Sequence, residues 1–358
     1  MNKWLGFLYC FLSGLCCAVP HFEHVTPSFI GTYKIDGAAL CATAKHTLAY
    51  LNKGKEYDPQ VIHDGKVIKI PLNRIKATLV FICKHQDKLN NPEFVKQHFE
   101  FIRWYPDKAQ ALRLSAKKPL LQRIPDQKIL MTKYFVHKAK ASPIKNSNSP
   151  FALYGLPEEE QHLTLEEANS RPELIRFKYG KQAILAGALQ HKKVPALAYF
   201  SRQDLETALL QGTVVADFGP SRGKKIFNVH RNNNIPYDRT LSPYTQERYW
   251  YFKEVDGIKG YGKDAEHKIT VNPETTFAAD LEQLGLGKLL LVQYANQQGA
   301  LVSRAGILAD TGGAFANNLY QVDYLAGSFS GNADFMKASG HLPDYVNAYF
   351  MVLKSSQY

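Results

Sequence analysis

Three aspartates in the C-terminal third stand where carboxylates can do chemistry. Asp280 ends the run Thr276-Phe277-Ala278-Ala279. Asp310 ends the apolar run Ile307-Leu308-Ala309 and enters Thr311-Gly312-Gly313. Asp323 lies between Val322 and Tyr324. Glycines after a strand allow tight turns and close approach of a ligand to the backbone. A carboxyl group in apolar surroundings loses hydration of its charged form, so its pKa rises. A carboxyl still protonated near neutral pH is what general acid catalysis requires. The same aspartates also suit the capping of turns, and the local sequence leaves both readings open.

The elements that must position them are readable in outline. Leu286–Tyr294, Val302–Ala309 and Ala348–Lys354 are β-favouring runs separated by Gly, Asn and Asp, the pattern of a compact β-barrel. Upstream, Leu40, Ala44, Leu48 and Leu51 fall on one helical face. Asn91-Pro92 reads as an N-cap followed by proline at the first helical position, with Phe94, Val95, Phe99 and Ile102 as an apolar stripe behind it. Thr164 to Glu167 and Ser201 to Asp204 resemble capping boxes, each starting a short helix. The segment 140–150 is polar and turn-rich, a loop or a connection between domains.

Other motifs fail on inspection. Gly257 to Lys263 matches most of a phosphate-binding loop, but Asp264 stands where a magnesium-binding hydroxyl is needed, so the stretch reads as a turn. His21 and His24 have no further ligands nearby and read as a solvated terminus, and there is no CxxC pair, so no metal site is expected. No Gly-x-Ser-x-Gly elbow occurs. Arg222 to Lys225 reads as a solvated basic loop able to help hold an anionic glycan.

The N-terminus suggests the compartment. Lys3 precedes an apolar stretch from Trp4 to Val19, and Cys16 and Ala18 supply small residues for cleavage after Ala18, so residues 1–18 read as a secretory signal. A retained anchor and a lipoprotein are the alternatives; Leu12-Ser13-Gly14 would be a good lipobox, but Leu15 intervenes before Cys16. Three of the five cysteines leave with the signal. Cys41 and Cys83 remain, either as one disulfide or as two buried thiols.

Composition bounds the rest. The 358 residues suit two domains or one large one, at roughly 100–200 residues per domain. With 45% hydrophobic and 21% charged residues the chain is ordinary globular material, not a disordered one. A formal charge of +12 points to an anionic partner. Export makes nucleic acid a poor candidate and an envelope polymer a good one.

Asp280, Asp310-Thr311-Gly312-Gly313 and Asp323 together resemble the three-aspartate ("3D") domain of the membrane-bound lytic murein transglycosylase A family. The likeness continues through Leu325-Ala326-Gly327, Gly340 and Tyr349 to Lys354. Upstream, Phe99-Glu100-Phe101 and Trp104-Tyr105-Pro106 are similar to the family's Phe-Glu and Phe-x-Pro segment. Thr132-Lys133-Tyr134-Phe135 falls where the family has Thr-Gly-Tyr-Tyr-Glu-Pro, Gln211-Gly212-Thr213 resembles its Gln-Gly-Ser, and Asn233 to Tyr237 resembles its Asn-Gly-x-Pro-Tyr. Order and rough spacing agree over residues 38–354. Lys133, Val136 and His137 depart from the motif, and the interval from Asp310 to Asp323 is longer than the family's.

The resemblance implies a mainly β fold: a double-psi β-barrel interrupted by a second β-rich domain, with a few helices near the N-terminus. The barrel would combine 19–137 with 239–358, and 138–238 would be the insert forming the other wall of a glycan groove. It implies non-hydrolytic cleavage of the MurNAc–GlcNAc bond of peptidoglycan, giving 1,6-anhydro-MurNAc, with no cofactor. Asp323 is expected to be the catalytic acid and then base, with Asp310 and Asp280 in support. Thr132, Tyr134, Gln211, Tyr237, Gly312 and Gly313 are expected to bind sugar, although each also suits turn or barrel packing. The implied setting is a periplasmic monomer acting on glycan strands, with association to the outer membrane. Two other readings stay open: a catalytically weak wall-binding protein, which the altered motif around Lys133 suggests, and a hydrolase or an enzyme of another polysaccharide.

Overall fold

The computed structural model describes residues 20–357 apart from Lys117, Tyr237, Arg239 and Thr240. The segment 1–18, read above as a secretory signal, and Tyr237 lie outside the described residues. Among the described residues no helix is long and apolar enough to cross a membrane.

In chain order the strands are β1 (His21–His24), β2 (Thr32–Tyr33), β3 (Phe99–Tyr105), β4 (Ile129–Lys140), β5 (Phe151–Tyr154), β6 (Ala196–Phe200), β7 (Thr213–Asp217), β8 (Lys224–Asn232), β9 (Trp250–Val255), β10 (Thr276–Ala278), β11 (Leu289–Ala295), β12 (Leu301–Asp310), β13 (Gln321–Phe329) and β14 (Tyr345–Leu353). β14, β11, β12, β10, β13 and β4 pair in that order, and β4 pairs back onto β14, so six strands close into a barrel. Closure leaves these strands no unpaired edge between them. The three β-favouring runs became β11, β12 and β14. Their near-continuous apolar sequence fits strands buried on both faces, and all seven residues of β11 except Ala295 are buried.

Helices cover the barrel on the N-terminal side. α1 (Gly37–Leu51) starts at Asp36, whose side chain accepts from Ala39 N at 2.9 Å, and it buries Leu40, Ala44 and Leu51. α2 (Leu72–Lys84) packs beside it, and a Cys41–Cys83 disulfide joins the two. Each fully buried aliphatic side chain in this core contributes about 1.5–3 kcal/mol.

α3 (Pro92–His98) is capped by Asn91, which accepts from Glu93 N and Phe94 N. The helix stops sooner than the apolar stripe suggested. Phe99 and Ile102 belong to β3, where aromatic and β-branched residues pair with β1 and β14. The pairing also draws His21–His24 into an edge strand, with His21 stacked on Tyr105 at 4.0 Å, so this segment is more than a solvated terminus.

β4 leaves the barrel partway along its length. Its residues up to His137 pair with β13, and His137–Lys140 pair with β7. β7, β8 and β9 then form the sheet of a second unit, with β5 and β6 as a separate two-stranded antiparallel sheet. This unit has its own core around Leu153, Phe200, Phe227 and Phe252, next to a cluster with Tyr249 and Tyr251. β9 therefore packs with the inserted strands, although it follows residue 239. Helices also occur in this unit, at Leu165–Asn169 behind a complete Thr164–Glu167 capping box and at Arg202–Gln211 behind Ser201.

Candidate active site

Strand register brings the two central carboxylates together. On β10, Ala278 pairs with Asp310 of β12 on one side and with Asp323 of β13 on the other. On β4, Thr132 pairs with Asp323 and Tyr134 with Leu325. The apolar strand β12 thus delivers its last residue, and β13 its third, to one end of the barrel.

This end faces the inserted unit across a cavity of about 470 Å³. Asp310, Gly312, Gly313, Tyr134 and Asp323 line the barrel wall, and Gln211, Gly212, Thr213 and Asn228 line the opposite wall. Local chemistry builds that second wall. Gly212 ends the helix Arg202–Gln211 in the left-handed region at φ 77° and turns the chain into β7. The Asn228 amide then holds this corner, donating to Gly212 O at 3.0 Å and Thr213 Oγ1 at 2.6 Å.

The two carboxylates differ in their partners. Asp310 Oδ2 accepts from Tyr134 Oη at 2.7 Å, and Oδ1 accepts from Thr311 N at 2.8 Å. Asp323 Oδ1 is buried, and no described group hydrogen-bonds to it. The Thr132 hydroxyl next to it donates instead to Val322 O at 3.3 Å and accepts from Gln321 Nε2 at 2.8 Å. A buried acceptor left open in a cleft is costly unless a ligand fills it.

Burial pushes the Asp323 carboxyl up to about 7; Thr132 opposes this and the charge of Asp310 adds to it. Burial pushes Asp310 up to about 6, against the hydrogen bonds from Tyr134 and Thr311 and the charge of Lys268. Of the two, Asp323 is the carboxyl that keeps its proton to higher pH. Burial also raises the Tyr134 hydroxyl well above its ordinary range, so it stays a donor.

Lys268 and the stretch Ile258–Gly262 complete the cavity. Lys268 Nζ donates to Asn228 Oδ1 at 2.6 Å and Val229 O at 3.1 Å, tying barrel to insert. Burial pulls its pKa down to about 8. The failed phosphate-loop stretch is not the expected turn: Lys259 bridges Thr270, and Gly260 N and Tyr261 N donate to Ile269 O and Ala309 O, so it runs extended beside β12, and its glycines serve the site. A Cβ on Gly260 would lie 2.6 Å from Ala309 O, beside Asp310. Clustered glycines were the one sequence signal for this wall; Lys268 had none.

The remaining expected residues are placed differently. Asp280 is 3% exposed and is not in the lining of this cavity; it caps a short helix, accepting from Gln283 N and Asn318 N. Thr132 borders a second cavity instead of the first. Of the three departures, Lys133 turns to Asp344 at 2.9 Å and His137 is buried against Asp204 at 3.0 Å, whereas Val136 lines the cavity with Asp323. Lys224 and Lys225 lie near Asp217 and Glu254 on the outer strands of the insert. No cluster of metal-binding side chains occurs among the described residues.

No protein-family model and no curated protein sequence matches the chain. Solved structures do. A membrane-bound lytic murein transglycosylase from Agrobacterium tumefaciens aligns at TM-score 0.61 and 14% identity, covering 93% of this chain and 97% of that one. E. coli MltA with bound chitohexaose aligns at 0.60 and 14%, covering 93% and 94%. MltA from Neisseria gonorrhoeae aligns at 0.58 and 17%, covering 89% and 88%. The chain has the fold of these structures over nearly its whole length.

Proposed function

We propose that the chain is a lytic transglycosylase of peptidoglycan with Asp323 as its acid and base. The observation that carries this reading is the buried Oδ1 of Asp323, without a hydrogen-bond partner among the described residues, on a carboxyl that lines a cleft between barrel and insert and whose pKa burial raises. The similar A. tumefaciens and E. coli structures, one a lytic murein transglycosylase and one with bound chitohexaose, support a glycan as the occupant.

In this mechanism protonated Asp323 donates to the glycosidic oxygen between MurNAc and GlcNAc. The C6 hydroxyl of the same MurNAc attacks C1 as the bond breaks, and the Asp323 carboxylate takes the hydroxyl proton. The product ends in 1,6-anhydro-MurNAc, and no water is consumed. The nucleophile is tethered to the electrophile, so orientation does the work of a second catalytic group. Burial favours the protonated form of Asp323, and the charge of Asp310, held by Tyr134 and Thr311, adds to this. Gln211, Gly312 and Gly313 offer hydrogen bonds to sugar hydroxyls; a Cβ at either glycine would meet nothing within 4 Å, so both face open space. The Tyr134 ring lines the same cavity and can pack against a sugar.

The setting we infer is the cell envelope outside the cytoplasm, with the protein periplasmic and associated with the outer membrane. The Cys41–Cys83 disulfide supports an oxidising compartment, and the formal charge of +12 suits an anionic murein.

A hydrolase is the competing reading, because Asp310 supplies a second carboxylate. Digestion in ¹⁸O-labelled water separates the two. Transglycosylase products take up no label and are lighter than hydrolytic ones by one water; labelled reducing ends would establish hydrolysis and overturn the proposal.

A further inference from the structure

A second cavity, of about 940 Å³, continues from the site on the other side of Gly313, which borders both cavities. Thr132, the register partner of Asp323, lies in its wall. Any glycan bound at Asp323 therefore has this space next to its reacting sugar.

The chemistry of the second cavity differs from that of the first. Leu114, Leu120 and Leu121 give it an apolar side, Lys118 and Arg248 give it two cations, and no carboxylate is in its lining. The segment 108–128 that builds the apolar side carries six Lys or Arg against one Asp. Neither Lys118 nor Arg248 has an acidic partner among the described residues. Arg248 Nε is buried without a hydrogen-bond partner, while its guanidinium lies 4.7 Å from the centre of the Trp250 ring. Its neighbour Glu247 faces away, accepting from Gln182 N at 3.2 Å. Burying an arginine donor with nothing to accept from it is costly. A carboxylate is the ligand whose geometry fits the guanidinium fork.

We propose that this cavity binds the peptide stem of peptidoglycan on the sugar next to the scissile bond, a stem carboxylate being received by Arg248 and Lys118 and its apolar side chains by the leucines. This rests on the glycan-cleaving reading above. It makes the protein selective for peptide-bearing strands over naked ones.

The test compares rates on peptide-bearing glycan strands and on the same strands stripped of stems by an amidase. The wild-type protein should favour the peptide-bearing strands by at least tenfold in kcat/KM. In Arg248→Gln the ratio should fall to near one, and Lys118→Gln, at an exposed position, should lower it severalfold. Arg248→Lys should restore part of it. Equal wild-type rates on both substrates would overturn the proposal, as would an unchanged ratio in both Gln variants. If the wild type cleaves neither substrate, the glycan-cleaving reading fails. The cavity is then judged by titration with a free stem tripeptide, alanyl-γ-glutamyl-lysine. Weaker binding by Arg248→Gln than by wild type supports it, and equal binding or none rejects it.

Discussion

Asp310 and Asp323 pair with the same residue, Ala278, from opposite sides of β10, yet only Asp310 has its carboxylate oxygens filled by hydrogen bonds. The shared neighbour places the two side chains on flanking strands, where burial raises the Asp323 carboxyl and the charge of Asp310 raises it further. Asp310, with its oxygens hydrogen-bonded, is raised less.

The pH dependence of activity follows. Asp323 must be protonated to act first as an acid, so kcat/KM should fall as pH rises through about 7. Removing the like charge with Asp310→Asn should move this limb to lower pH by about one unit. A limb that stays in place in Asp310→Asn would show that the two carboxyls do not communicate.

Stability should depend on the same carboxyl. Its folded-state pKa is raised, so its contribution is fully present below the unfolded value and is lost as pH rises through about 7. Asp323→Asn has no charge to bury and should therefore gain about 1–3 kcal/mol over wild type at pH 8, and much less at pH 5. Thermal melts at both pH values measure this, and equal shifts at the two would contradict the assignment.

Asp280 should behave as a brace. Asp280→Ala removes the acceptor shared by Gln283 N and Asn318 N, at a cost of about 1–3 kcal/mol. Below its melting point the variant should keep the wild-type pH limb. A displaced limb would place Asp280 in the proton relay instead.

Gly260 tests the wall between the 258–262 stretch and β12. Gly260→Ala places a methyl 2.6 Å from Ala309 O and should cost about 1–3 kcal/mol by overpacking. Because Asp310 is the next residue, turnover should drop as well. Full activity with a lowered melting temperature would mean that the strain is absorbed away from the carboxylates.

Much of this was legible in the sequence where the signal is local. The apolar runs named three barrel strands, side-chain caps named the starts of three helices at Asn91, Thr164 and Ser201, and Asp-Thr-Gly-Gly marked a strand running into a turn. What failed depends on distant pairing. Phe99 and Ile102 looked like a helical stripe because nothing nearby shows that β3 inserts between β1 and β14. The placement of β9 with the insert is fixed by pairing to β8 and by Tyr249, Tyr251 and Phe252 finding a core there. Likewise Lys268 gains its place only because Asn228, distant in sequence, folds across from it.

The most direct measurement is the digestion of purified peptidoglycan by the wild-type protein and by Asp323→Asn, with mass spectrometry of the released muropeptides. The account predicts 1,6-anhydro-MurNAc ends from wild type and a fall of about a thousandfold or more in the variant. Comparable release of anhydro products by Asp323→Asn would contradict it, because the proton would then have to come from another residue.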